Sequence, residues 1–399
     1  MNGNNRDRKS KKPLLFGEIN DRQREIMSIM HFKESERPGM RGKVVVGMSG
    51  GVDSAVTAYL LKEAGYEVIG VILRTWQDKY GKDSRCCEID AADETARMLG
   101  IPLHIRDCTE DFCHYVTEPF VNEYLSARTP NPCVECNRYV KWAWLVKTAA
   151  MLGADHVATG HYAFTEQLTN GRWTIRQAVS PEKDQTYVLY RLTQAQLART
   201  LMPLGALEKQ QVREIAEEAG IPVAHRADSQ EICFVAEGSS YASYIEENAD
   251  RPIPGPGHFV DEEGHVLGTH KGITHYTVGQ RKGLGLPLGY HAYVREIRPK
   301  ENEVVLCREE GLYSRQILCD RVNFMSIEGL IPGTALPASV RIRYHHEGTP
   351  AMIEPAGDDM VMVTFEKPVR AATPGQSAVF YDEAGRIIGG GRIISFYKD

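Results

Sequence analysis

The sequence predicts an α/β protein: an N-terminal doubly wound parallel sheet, a small central module and a C-terminal antiparallel β-barrel. Three observations carry this. Apolar runs of strand length alternate with amphipathic stretches of helix length from Lys43 to about residue 220, the rhythm of βαβ units with helices on both faces. A glycine-rich turn, "GMSGGVDSA" (residues 47–55), joins the first such strand to the first such helix. Beyond "RPIPGPGHFVDEEG" the texture changes to short alternating runs broken by Gly, Pro, Asn and Asp.

In chain order, residues 1–41 are polar and charged, with "RDRKSKK" near the start, and read as a mobile arm with one helix around "RQREIMSIMHF". "KVVVG" reads as a buried strand, "VDSAVTAYLLKEAG" as a helix with a glycine stop, and "YEVIGVILRTW" as a second strand. "EIDAADETARMLGI", "YVKWAWLVKTAAMLGA" and "EKQQVREIAEEAGI" follow as helices, and "PLHIRDC" and "DHVATGHY" as strands. This places a first domain over 42–244 and a small module over 245–308. Runs such as "ASVRIRY" and "QSAVFYDEAGRIIGGGRIISFY" then make a β-barrel or sandwich of roughly 80 to 90 residues, with the barrel expected over 309–399.

A chain of 399 residues, 42% hydrophobic, can bury two or three cores. No stretch approaches the ~20 apolar residues of a membrane helix, and the basic start lacks the apolar segment of an export signal. A soluble, cytoplasmic monomer with no membrane contact is expected. The formal charge of -6 is no sign of a polyanion partner, so nucleic-acid binding must rest on local clusters. Nine cysteines, an odd number without the spacing of a stapled scaffold, become candidates for metal, redox or nucleophilic work in a reducing compartment.

Within "GMSGGVDSA", residues Gly47, Met48, Ser49, Gly50, Gly51, Val52, Asp53 and Ser54 lie where a strand-to-helix turn can present N–H groups to phosphate. The G-K-[ST] ending of a Walker A loop is absent. Ser49, Gly50 and Gly51 suit a tight anion cradle, Asp53 is placed to hold Mg2+, and Ser54 can donate to phosphate or cap the helix. An ordinary capped turn would explain the "GG" alone. The full S-G-G-V-D-S resembles the PP-loop of ATP pyrophosphatases, adenine nucleotide hydrolase-like proteins that split ATP between the α- and β-phosphates and adenylate a substrate.

"TPNPCVECNRYVKW" (residues 129–142) sets Cys133 and Cys136 three positions apart behind a rigid proline pair, and "ADSQEICFV" carries Cys233. These strings, together with "ATGHYA", "KDQTYVLY", "HKGITHYTVGQRKGLG" and "TPGQSAVFY", resemble in sequence and order the tRNA-specific 2-thiouridylases, over roughly residues 43 to 397. The resemblance implies that ATP adenylates O2 of the wobble uridine of tRNA and that sulfur from a protein persulfide replaces the activated oxygen. Carried over by motif, Cys136 is the nucleophile and Cys233 receives the sulfane sulfur from a persulfide-carrying donor, a cysteine desulfurase or sulfur relay protein. One route leaves a transient Cys136–Cys233 disulfide. Both roles require a low-pKa thiolate, and Arg138 and Lys141 bring positive charge nearby.

Cys133 departs from the family pattern, in which many members carry an aspartate placed to act as general acid or base. The thiol weakens that role. Cys133, Cys136 and Cys233 also make a candidate iron–sulfur ligand set with an open fourth position. A structural zinc would want a fourth protein ligand that no nearby motif supplies. The adjacent Cys86 and Cys87 read as helix-entry packing, and Cys108, Cys113, Cys307 and Cys319 as buried or incidental thiols.

"ATGHYA" closes a strand at the carboxyl edge of the sheet, where Gly160 lets a nucleotide approach the backbone and Leu73 can pack on adenine. His161 reads equally as a phosphate contact or a structural histidine. The family resemblance further implies that Asn131, Pro132 and Cys133 floor the pocket of a flipped uridine, and that Lys183, Asp184, Gln185, Arg343 and Tyr344 contact tRNA. Arg281, Lys282 and Arg341 extend a distributed basic footprint. Two rivals fit less well: an amide-forming PP-loop synthetase needs neither Cys136 nor Cys233, and a noncatalytic tRNA-binding or iron–sulfur carrier needs no intact S-G-G-V-D-S.

Overall fold

The computed structural model describes residues 42–77, 88–226, 232–236 and 238–397. The N-terminal arm, Cys86 and Cys87, and the "DSQE" ahead of Cys233 lie outside the described residues.

The first seven strands are β1 (Lys43–Gly47), β2 (Glu67–Arg74), β3 (Leu103–Asp107), β4 (His156–Ala158), β5 (Ala163–Gln167), β6 (Trp173–Gln177) and β7 (Thr200–Leu201). Five of them form a sheet in the order β3-β2-β1-β4-β7, every pairing parallel. Val44, Val45 and Val46 of β1 are fully buried, which is why "VVV" runs without polar alternation: both faces of a parallel sheet are covered. The strand order reverses at β1 and β4. Such a switch point leaves a crevice beyond the carboxyl ends of the two strands, and both "GMSGGVDSA" and "ATGHYA" leave the sheet there.

Two departures from the sequence expectation matter. Strands β5 and β6 form a separate antiparallel hairpin, unannounced because its exposed face is polar and its turn, "LTNGR", is not a two-residue hairpin turn. The helix expected from Tyr139 onward instead starts at Pro132 and passes through a π-helical turn, Cys136–Lys141, before Trp142–Met151. A second π-turn, Cys113–Thr117, packs against the first. Periodicity cannot register such a wide turn, which inserts one residue into the helical repeat.

The central module is a four-stranded sheet of β8 (Gly257–Val260), β9 (Val266–His270), β10 (Tyr293–Arg298) and β11 (Glu303–Cys307), cored by Phe259, Val294, Val304 and Leu306. The last six strands are β12 (Tyr313–Phe324), β13 (Leu336–Arg341), β14 (Thr349–Pro355), β15 (Val361–Arg370), β16 (Ser377–Tyr381) and β17 (Ile387–Tyr397). They close into an antiparallel barrel, β12-β15-β14-β13-β16-β17, which removes the exposed edges a flat sheet would leave.

The barrel docks on the first domain through "QTYVLY". Tyr187 and Tyr190 share one core with Trp142 on one side and Val379, Tyr381 and Ile387 on the other. Tyr187 Oη donates to the Ser377 carbonyl at 2.8 Å, and Asn323 Nδ2 donates to the Tyr190 carbonyl at 2.7 Å. The "GGG" of β17 has a reason here: a Cβ on Gly390 would stand 2.6 Å from the Tyr190 ring.

Candidate active site

At the phosphate loop the backbone is shaped by glycine. Gly50 has φ +81°, and a Cβ there would stand 2.5 Å from the Glu88 carbonyl oxygen. Ser49 N–H donates to Ser54 Oγ at 3.2 Å, and Ser54 Oγ donates to the Gly51 carbonyl at 3.0 Å, closing the loop on itself. Helix Val52–Glu63 begins at Gly51 with no side-chain cap, which leaves its positive end and first N–H groups to an anion. Gly160 lies against the same turn, for a Cβ on it would be 2.8 Å from Asp53 C and 2.9 Å from Ser54 N. Met48 and Val52 are buried and anchor the loop, and Gly47 packs against Leu145. Leu73, at the end of β2, packs on both the sheet core and the cysteine-bearing cluster described next. The donors and glycines suit the phosphates of a nucleotide, and Asp53 places a carboxylate beside them.

Asp53 reaches its position through contacts the sequence did not announce. Its Oδ1 accepts from Tyr162 Oη at 2.8 Å, and Lys209 Nζ donates to both carboxylate oxygens at 2.8 Å. His161, next to Tyr162, is structural in its contacts: Nδ1 lies 2.9 Å from Thr159 Oγ1, and the ring packs on Trp142. Desolvation, helped by the charge of Lys141, pushes its imidazole down to about 3, so it is neutral near pH 7.

Cys136 and Cys233 come together in a second apolar cluster. Cys136, 7% exposed, belongs to a core with Phe112, Phe120, Val140 and Phe234, and half-buried Cys233 packs against that core. The Tyr244 phenol, in the same cluster, is pushed up to about 12 by burial, with Cys113 and Cys233 raising it further. Of the expected cations, Arg138 donates to the Arg191 carbonyl and lies over the Tyr139 ring, while Lys141 acts on His161. Cys133 is exposed, on the first turn of a helix capped by the Asn131 side chain, which accepts from Cys133 N–H at 3.1 Å. Pro132 fills the first helical position. Cys133, Cys136 and Cys233 are not gathered as one metal ion would draw them: among the described residues only Asp261, Glu263 and His265 place three ligand atoms within 4.8 Å.

The barrel contacts the chain just ahead of this helix. Gln376 Nε2 donates to the Thr129 carbonyl at 2.9 Å, Thr129 N–H donates to the Pro374 carbonyl at 2.8 Å, and a Cβ on Gly375 would stand 2.8 Å from Thr129 N. The "TPGQS" and "TPNPC" strings are therefore two sides of one contact. Tyr344 packs on the shared core, and burial pushes its phenol up to about 12, with Asp184 and Cys133 raising it further. Asp184 is buried: its Oδ2 accepts from Arg341 at 2.7 Å and from Thr186 Oγ1 at 2.8 Å. Gln185 Oε1 accepts from Tyr162 N–H at 3.0 Å, tying "KDQ" to the nucleotide side, while Lys183 is half-buried. Arg343 donates to the Arg370 carbonyl, and burial lowers its guanidinium. Arg281 and Lys282 are exposed on the central module.

Family models match in register along the chain: "tRNA methyl transferase HUP domain" over 42–237, "tRNA methyl transferase PRC-barrel domain" over 248–308 and "Aminomethyltransferase beta-barrel domain" over 314–393. A tRNA-specific 2-thiouridylase of Lachnoclostridium phytofermentans is 48% identical over 88% of this chain and 99% of its own. One from Clostridioides difficile is 45% identical over 89% and 98%. The chain belongs to the tRNA-specific 2-thiouridylase family. Among solved structures, the U34-tRNA thiolase NcsA of Methanococcus maripaludis aligns far more distantly, with a TM-score of 0.36 and 20% identity over 56% of this chain and 68% of that one.

For this 2-thiouridylase family member, the fold gathers the PP-loop, Gly160 and Leu73 at the switch point and brings Cys136 and Cys233 into one cluster. Cys133 lies near enough to Tyr344 for its charge to raise the phenol. Sequence reasoning missed Tyr162, Lys209 and Gln376. Tyr162 sits inside a quoted motif and signalled only a strand residue, Lys209 stands on an ordinary helix, and Gln376 acts through its contact with a distant loop.

Proposed function

We propose that the chain thiolates the wobble uridine of tRNA in an ATP-dependent reaction, forming 2-thiouridine, AMP and pyrophosphate in the cytoplasm. In this reading residues 42–244 hold nucleotide and chemistry, residues 245–308 form the small module, and the barrel over 309–399 helps seat tRNA. The observation that carries it is the sharing of one apolar cluster by Cys136 and Cys233, which neither a methyl transfer nor an amide-forming adenylation requires.

Asn131, Pro132 and Cys133 floor the pocket into which the base leaves its stack. Uridine O2 attacks the α-phosphorus of ATP and pyrophosphate leaves, its charge met by the loop N–H groups, Ser49 and Ser54; Asp53 would hold a magnesium ion, which would supply further positive charge there. The terminal sulfur of a Cys233 persulfide then attacks C2, and AMP departs with the C–O bonding pair. Cys136 thiolate attacks Cys233 Sγ, the S–S bond breaks, sulfur stays on C2, and the Cys136–Cys233 disulfide is reopened by a thiol reductant. In the alternative order Cys136 attacks first and releases hydrosulfide, which attacks C2. Both orders use the cysteine thiols themselves; Cys133, Cys136 and Cys233 would be the ligands of an iron–sulfur cluster if one were bound. Lys183, Gln185, Arg343 and Tyr344 line the approach of the anticodon loop, and Asp184 acts by holding Arg341.

The test is pyrophosphate release with and without tRNA, coupled to nucleoside mass spectrometry. The reading predicts tRNA-stimulated release and one 2-thiouridine per AMP. Release without tRNA and no thiolated nucleoside would favour a small-molecule synthetase.

A further inference from the structure

We propose, building on Asp53 as the magnesium carboxylate, that Lys209 is a tethered cation: it fills the metal position of the nucleotide-free enzyme and moves to the phosphates when Mg2+ and ATP enter. Lys209 Nζ donates to Asp53 Oδ1 and Oδ2, each at 2.8 Å, while Tyr162 Oη holds Oδ1 at 2.8 Å. A magnesium ion takes a carboxylate oxygen at about 2.0–2.1 Å and needs an octahedral shell around it. An ammonium that bridges both oxygens occupies that space, so the two cations exclude each other.

The placement of Lys209 fits a movable cation rather than a simple surface pair. Its side chain is 13% exposed, and it is the first residue of helix Lys209–Glu218, whose start is closed by a Glu208–Gln211 capping box. This largely buried ammonium holds both Asp53 oxygens, a pairing that lasts only while the carboxylate is not shared with a metal. Val52, Ala55 and Val56 of the loop helix pack with Val212 and Ile215 of the second helix, so both helix starts are held and the inferred movement is confined to the four-carbon stem of Lys209. Asp53 and the phosphate cradle belong to the same helix start, so rotation of the stem carries the charge from carboxylate to phosphate. Lys209 thereby counters the charge that develops on pyrophosphate as it leaves.

The test uses Mn2+ as the metal probe and α,β-methylene-ATP as the nucleotide, on the full chain. Free Mn2+ is read by electron paramagnetic resonance for the unsubstituted protein, Lys209→Met, Lys209→Gln and Asp53→Asn. Without nucleotide, Lys209→Met should bind Mn2+ about tenfold tighter, the worth of one charge-assisted pair. With nucleotide, the same variant should bind the analogue about tenfold or more weakly. Lys209→Gln carries the same two expectations should the methionine variant not fold. Equal Mn2+ binding by unsubstituted and Lys209-substituted protein without nucleotide, beside an Asp53-dependent Mn2+ site in the loaded protein, overturns the lysine role alone. Absence of any Asp53-dependent Mn2+ site in the loaded protein overturns both the metal reading of Asp53 and the exchange.

Discussion

Cys136 and Cys233 pack into one apolar cluster, the first buried within it and the second at its edge. The arrangement suits sulfur transfer physically. In the proposed reaction the apolar wall of Phe112, Phe120 and Phe234 limits water around buried Cys136, while half-buried Cys233 stays open to a sulfur donor.

Gly160 reports on the nucleotide cradle. In Gly160→Ala the new Cβ would stand 2.8 Å from Asp53 C and 2.9 Å from Ser54 N, both backbone atoms at the loop-helix start. Such overpacking typically costs about 1–3 kcal/mol. ATP affinity by isothermal titration should fall about 10- to 100-fold, with tRNA affinity unchanged.

Arg341 reports on the seam. Asp184 is buried, and removing its Arg341 partner leaves an uncompensated carboxylate, a loss of about 3–5 kcal/mol. Arg341→Met should lower the urea midpoint strongly, and the double variant Arg341→Met, Asp184→Asn should recover much of it.

Much of the fold was legible because buried parallel strands such as "VVV" and glycine stops leave local signatures. The PP-loop and the two cysteines were legible as motifs. What was not legible depends on distant partners. Asp184 reads as a solvated charge until Arg341 of β13 arrives, Lys209 as a helix-surface lysine until Asp53 faces it, and the π-turn at Cys136–Lys141 breaks the 3.6-residue period that pattern reading relies on.

His161 gives a pH test. Its imidazole lies at about 3 in the fold against an ordinary 6.5, so between those values the unfolded chain binds more protons. The stability it supports is complete above pH 6.5 and is lost as pH falls toward 3. Melting temperature measured from pH 7.5 to 4.5 should fall less steeply for His161→Gln than for the unsubstituted protein, with parallel curves above pH 6.5.

Cys133 tests the metal-free route. Cys133→Asp should keep thiolation within about tenfold, since a carboxylate beside the base can move a proton at least as well as a thiol. Anaerobically purified protein should contain no stoichiometric iron or sulfide. Loss of both turnover and a visible iron–sulfur absorbance in this variant would make Cys133 a cluster ligand.

The most direct measurement is the 2-thiouridine content of tRNA after reaction with Cys136→Ser and Cys233→Ser, alongside tRNA affinity. The account predicts no thiolation by either variant and nearly unchanged tRNA binding by both. Sulfur incorporation at the unsubstituted rate by either variant would contradict it.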